Sequence, residues 1–175
     1  MKIGTCVNFS EIDGMEKKFA RLREHNFDSC QLVSWNPAAW TDENASLLKT
    51  LLEQYQITVS AFWCGWSGPA AWNFYDGPLT LGLVPVEYRQ MRIENLCDGA
   101  DFAHKLGITD VVTHMGFIPE NPYDPNFSSF CIAVRTVAEH LKKNGQCLLF
   151  ETGQETPVTM LRCFEAVGTD NLYVN

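Results

Sequence analysis

The sequence predicts an α/β fold, a parallel strand–helix barrel that stops after the start of its sixth strand. Three observations carry this. Short apolar runs alternate with longer segments of helical period along the whole chain. Helix-to-strand junctions are short and polar, as in "KLGITDVVTH", "KNGQCLLFE" and "VGTDNLYVN". The runs themselves are almost continuously apolar, the pattern of parallel strands covered on both faces, with helices as right-handed crossovers.

The elements follow in order. Residues 2–7, "KIGTCV", read as a first strand, followed by a helical stretch in which Ile12, Met15, Phe19 and Leu22 recur at helical spacing. "SCQLVSW" (29–35) is the second strand, with a helix from Asp42 to Tyr55 behind it, and "ITVSAFW" (57–63) is the third. A helix from Val86 to Leu106 ends at Gly107, a residue type that tolerates the left-handed cap. "DVVTHMG" (110–116) is followed by a helix from Ser128 to Asn144 closed by Gly145, and then by "QCLLFE" (146–151). Pro157 suits the first turn of a last helix ending near Val167, and "NLYVN" (171–175) opens a sixth strand. Gly99, inside the third long helix, costs about 1 kcal/mol relative to alanine without an evident gain.

An open doubly wound sheet and a closed eight-stranded barrel both fit the alternation. No GxGxxG turn follows a strand, which removes the dinucleotide-binding version of the first. A complete barrel takes about 250 residues. This chain has 175 and ends in mid-strand, as a shortened barrel would, so residues 1–175 are expected to form one partial barrel domain.

Composition narrows the function. Thirteen basic against 21 acidic residues give a net charge of −8, the wrong sign for a nucleic-acid partner. No apolar run approaches the ~20 residues of a membrane span, and the N-terminus lacks a secretory core, so a cytoplasmic protein is expected. Seven cysteines show no CxxC pair or zinc spacing and read as reduced, mostly structural thiols.

Polar residues that close apolar runs are the candidates for chemistry, because strand ends converge on one mouth in a parallel barrel. Glu151 follows "CLLF", His114 follows "VVT", and Gln31 interrupts "SCQLVSW". If the fourth and fifth strands pair as neighbours, about 4.8 Å apart, His114 and Glu151 come together. Two readings of Glu151 stand at this point: a carboxylate for a divalent cation or proton transfer, and one ion-paired with a rim lysine or arginine. His114 likewise reads as an acid–base partner or as a core histidine bonded to backbone. Glu155 suits the N-terminus of the last helix. Residues 64–85 form a loop too long for an ordinary connection, with Trp63, Trp66 and Trp72 in or beside it as a candidate sugar-stacking wall or a packing cluster. His25, His104 and His140 lie among charges on helices and read as solvated.

The segments "DVVTHMGFIPENPYDP", "LLFETGQETPVTMLR", "GTDNLYVN" and "WNFYDGPLTLGLVP" resemble the sugar phosphate isomerase/epimerase family of the xylose-isomerase-like TIM barrels, from about residue 2 to the C-terminus. The resemblance implies one eight-stranded barrel with a divalent cation (manganese, magnesium, cobalt or zinc) at its mouth, held by a Glu, an Asp, a His and a second Glu. Glu151 matches the first of these, which in relatives also serves in acid–base chemistry. The others belong to later strands, beyond Asn175. His114 matches a position near substrate or metal. The implied reaction removes the proton next to a sugar carbonyl and passes through an enediolate, with a small-molecule sugar or sugar phosphate as substrate. Inosose dehydratases of the same family begin with the same step. A non-catalytic alternative, association through the open edge of the sixth strand, would give a homo-oligomer.

Overall fold

The computed structural model describes residues 3–175. Six strands form one parallel sheet in chain order: β1 (Thr5–Asn8), β2 (Ser29–Ser34), β3 (Thr58–Cys64), β4 (Asp110–Thr113), β5 (Cys147–Phe150) and β6 (Leu172–Val174). Helices α1 (Met15–Glu24), α2 (Asp42–Gln54), α4 (Val86–Lys105), α5 (Pro125–Lys143) and α6 (Pro157–Val167) connect them, with a short α3 (Gly77–Thr80) inside the long loop. Sequential order with parallel pairing throughout is barrel topology, and β1 and β6 each have one free edge among the described residues.

The expected elements are present, with shifted ends. The first strand was expected from residue 2, and that residue lies outside the described ones. Ile12 falls outside α1, which begins after Gly14 in a left-handed conformation. Helix α5 starts at Pro125 rather than Ser128, because Asp124 accepts a hydrogen bond from the Asn126 amide and Pro125 fills the first turn. Thr41 and Thr156 cap α2 and α6 in the same way. The expected glycine turns after α4, α5 and α6 all have positive φ, and Asn26 and Gln56 serve that purpose after α1 and α2.

Alternation along each strand separates two faces. On the outer face Leu32, Phe62, Val111, Leu148 and Phe150 are sealed beneath the helices. Phe62 meets Trp40 and Phe102, and Phe102 stacks on Phe9. Phe150 packs edge-on against Phe164 of α6. Gly99 belongs to this layer: a Cβ there would sit 2.3 Å from Cys64 Sγ and 3.1 Å from the Trp40 ring. The helix-propensity cost of Gly99 thus lets α4 seat against β3.

On the inner face Gln31, Val33, Trp63, Leu149 and Tyr173 are partly or fully exposed. Strand ends on this side carry the polar residues that the sequence singles out.

Candidate active site on the inner face

Glu151 follows the last residue of β5, and its backbone N–H donates to the Thr113 carbonyl of β4 at 2.9 Å. The β4–β5 register therefore sets the His114 and Glu151 backbones side by side, as the strand pattern predicts. Glu151 is half-buried. Its Oε2 accepts from Trp63 Nε1 at 3.3 Å and from Asn175 Nδ2 at 2.7 Å. No lysine or arginine among the described residues forms an ion pair with it, so the ion-pair reading of Glu151 is not the one realised. Two neutral donors solvate the carboxylate in place of a counter-charge.

His114 is buried, at 5% exposure. Its Nδ1 accepts from the Gly116 N–H at 3.0 Å, which places the proton of the neutral ring on Nε2. Burial holds the imidazole below its ordinary value, against the pull of the Glu155 and Glu151 carboxylates. The backbone hydrogen bond fits the core-histidine reading, but Nε2 does not point into the core. It faces the turn after β5, where a Cβ on Gly153 would lie 2.5 Å from Nε2 and 3.4 Å from Glu155 Oε2. Glycine at 153 is therefore a steric requirement of that approach. Glu155, expected to serve the α6 N-terminus, accepts from the Gly153 N–H at 3.1 Å, while Thr156 provides the cap. Gln154 Nε2 donates to the Gly116 carbonyl and ties the two loops together.

The tryptophans gather around one that sequence reasoning missed. Trp35, directly after β2, lies 4.9 Å from Trp63, 5.0 Å from Trp66 and 5.9 Å from Trp72. Trp72 presents its edge to the His114 ring at 5.2 Å. Trp35, Trp63 and Trp72 line an open hollow of about 620 Å³ with Cys6, Gln31, Val33, Glu151 and Asn175. Trp66 does not line it: at 2% exposure it backs the wall, beneath the Arg92 guanidinium at 4.1 Å.

Arg92 holds the long loop in place. It is fully buried and donates to the carbonyls of Ser67, Pro69 and Gly82, gripping both arms of the loop. Burial pushes its pKa down to about 10, so it stays cationic at neutral pH. Arg89 binds the Leu83 and Val84 carbonyls, and Leu83 N–H donates to Met115 O beside His114. The sequence held a signal for this. Arg89, Arg92, Leu96, Gly99 and Ala103 share the core-facing stripe of α4, where an arginine needs a buried partner.

Among the described residues no group of three His, Cys, Asp or Glu side chains is placed to hold a metal ion. Glu151 has one oxygen, Oε1, without a hydrogen bond, whereas His114 has Nδ1 engaged and a proton on Nε2. The donor set therefore supplies one ligand and does not by itself make a metal site. All seven cysteines are unpaired thiols. His140, expected to be solvated, bonds Asp101 Oδ1 at 2.8 Å between α5 and α4, away from the mouth.

The sheet order agrees with one comparison. A family model described as the xylose isomerase-like TIM barrel matches residues 19–175. The chain belongs to that family. Solved structures repeat the fold. A xylose isomerase domain protein from Planctomyces limnophilus is 25% identical, with a TM-score of 0.89 over 99% of this chain and 62% of that one. A xylose isomerase-like TIM barrel protein from Mycobacterium smegmatis, in complex with magnesium, is 21% identical, with a TM-score of 0.70 over 94% and 56%. A D-allulose 3-epimerase from Methylomonas sp., in complex with D-allulose, is 14% identical, with a TM-score of 0.70 over 99% and 62%. Other matching structures are sugar epimerases as well. The chain thus spans 62% and 56% of the length of the first two. No curated protein matches it. No helix among the described residues is long and apolar enough to cross a membrane.

Proposed function

We propose that the chain carries one side of a sugar isomerase or epimerase site, within a single partial barrel domain of residues 1–175. The observation that carries this reading is Glu151: a carboxylate without a cationic partner among the described residues, held by two neutral donors in a tryptophan-walled hollow. Such a group is suited to take the proton next to a sugar carbonyl. The C–H electron pair then forms the carbon–carbon double bond, and charge moves onto the carbonyl oxygen as an enediolate. His114 is proposed to act from beside the hollow rather than inside it: it does not line the hollow, and its Nε2 faces the Gly153 turn next to Glu151. Returning the proton from Glu151 to the neighbouring carbon gives an isomer; inversion to an epimer takes a proton from an acid on the opposite face, expected from barrel segments that this chain does not span. The tryptophans offer apolar faces to the sugar ring and keep water from the carbanion.

Glu151 is also proposed as one ligand of a divalent cation (manganese, magnesium, cobalt or zinc). When bound, such an ion polarises a carbonyl and stabilises an enediolate. Its remaining ligands are expected from barrel segments that the relatives have and this chain does not span. The magnesium complex among the matched folds supports this assignment. Because these residues supply a single ligand, none of the steps above runs through the ion.

Among the described residues no lysine or arginine lines the hollow, and its tryptophan faces suit the polyol portion of a sugar. The test is saturation-transfer NMR of the 175-residue chain with D-allulose. Transfer from the tryptophan rings to the sugar, reduced in Trp72→Ala, is the expected result. A sugar that receives no saturation from the unsubstituted chain would overturn the reading.

A further inference from the structure

Glu151 Oε2 is the end of a hydrogen-bonded chain that crosses the inner face. Cys6 Sγ on β1 donates to Gln31 Oε1 on β2 at 3.8 Å, within the range for sulfur. Gln31 Nε2 donates to Asn175 Oδ1, just past β6, at 3.3 Å, and Asn175 Nδ2 donates to Glu151 Oε2 at 2.7 Å. The backbone N–H of Asn175 is anchored on the Phe150 carbonyl at 2.9 Å, so its side chain leaves a fixed point.

The direction of the chain follows from chemistry. An ionised carboxylate only accepts hydrogen bonds. The NH₂ of Asn175 must therefore face Glu151, which turns the Asn175 oxygen toward Gln31 and requires the NH₂ of Gln31 in return. Each amide has one orientation that satisfies both neighbours, and the charge at position 151 selects it. Trp63 Nε1, which can only donate, fills a second site on the same oxygen.

We infer that Gln31 and Asn175 are positioning residues that bind up Glu151 Oε2 and leave Oε1 as the single oxygen of that carboxylate open to an incoming group in the hollow. This rests on the assignment of Glu151 to proton transfer. It goes further in assigning different duties to the two oxygens and in giving Gln31, which sits on the far side of the sheet from β5, a part in the site. One free oxygen fixes the line along which a proton is taken, and a carboxylate free to rotate would not.

The relay is tested without turnover, by NMR of the 175-residue chain labelled with ¹⁵N and ¹³C. In the unsubstituted chain the amide protons of Gln31 and Asn175 should show a mutual nuclear Overhauser effect, and its absence overturns the inference. Gln31→Leu should shift the Asn175 side-chain amide and the Glu151 Cδ, with the backbone amide spectrum otherwise kept. Gln31→Glu replaces the donor by an acceptor, so it should turn the Asn175 amide over and shift Glu151 Cδ further. Unmoved Asn175 and Glu151 resonances in both variants contradict the relay. D-Allulose separates this inference from the functional assignment. Sugar-induced shifts at Glu151 Cδ without any response to Gln31 substitution would leave the site and remove the relay. Relay shifts in a chain that ignores the sugar would do the reverse.

Discussion

The two faces of one sheet differ in what they are built to do. Phe62 and Trp63 are adjacent in β3. Phe62 points outward into a dry layer with Trp40 and Phe102, and Trp63 points inward to donate to Glu151. The same division runs through Leu148 against Leu149 and Leu32 against Gln31. Stability is concentrated in the outer layer, where helices cover apolar side chains. Polar groups are concentrated on the inner one, where hydrogen bonds between strand ends orient them over an open hollow. A period-two backbone lets a single chain satisfy both demands, provided the register never slips.

The comparison breaks most visibly when the outer face is emptied. Phe62→Ala should destabilise the chain by about 3–5 kcal/mol, read as a lower urea midpoint. Gly99→Val tests the same layer from the helix side. Its Cβ would run into Cys64 Sγ, and overpacking of this kind costs about 1–3 kcal/mol. On the inner face Trp72→Ala should cost only about 1 kcal/mol, since the half-exposed ring meets Trp35 and His114 edge-on but fills no sealed core. The same variant should lose saturation transfer to D-allulose. Equal stability losses from Phe62→Ala and Trp72→Ala would dissolve the distinction.

How much of this could be read from the sequence depends on the distance over which each signal acts. Strand–helix alternation is local, and so is the end of an apolar run, so the fold and the placing of Glu151 and His114 at neighbouring strand ends were legible. Asn175 was not, because its contact with Glu151 exists only once β6 pairs with β5. Trp35 reads as one more apolar residue of "LVSW" until three other tryptophans are placed around it. Gly99 reads as a helix defect until Cys64 is placed opposite. The Asp124–Pro125 start of α5 was a local signal, a cap followed by proline, and the expected boundary passed over it.

A smaller effect sharpens the link between the faces. His114 titrates below its ordinary value because burial disfavours its charged form. The unfolded chain therefore binds a proton more readily than the folded one. The sign follows: the His114 contribution is neutral to stability above about pH 6.5, the unfolded value, and turns unfavourable as pH falls through that value toward the folded one. The urea midpoint should decline between pH 7 and pH 5, and His114→Gln should flatten that decline. An equal decline in the variant would assign the titration to other groups.

The most direct measurement is deuterium exchange into a ketose, on a chain continued through all eight barrel strands. ¹H NMR in D₂O with Mn²⁺ present follows loss of the proton next to the carbonyl of D-allulose. Glu151→Gln should slow that exchange by a factor of roughly 10²–10⁴, the usual reach of a positioned general base, with the fold intact. Exchange at an undiminished rate in Glu151→Gln would contradict the assignment of proton transfer to this carboxylate.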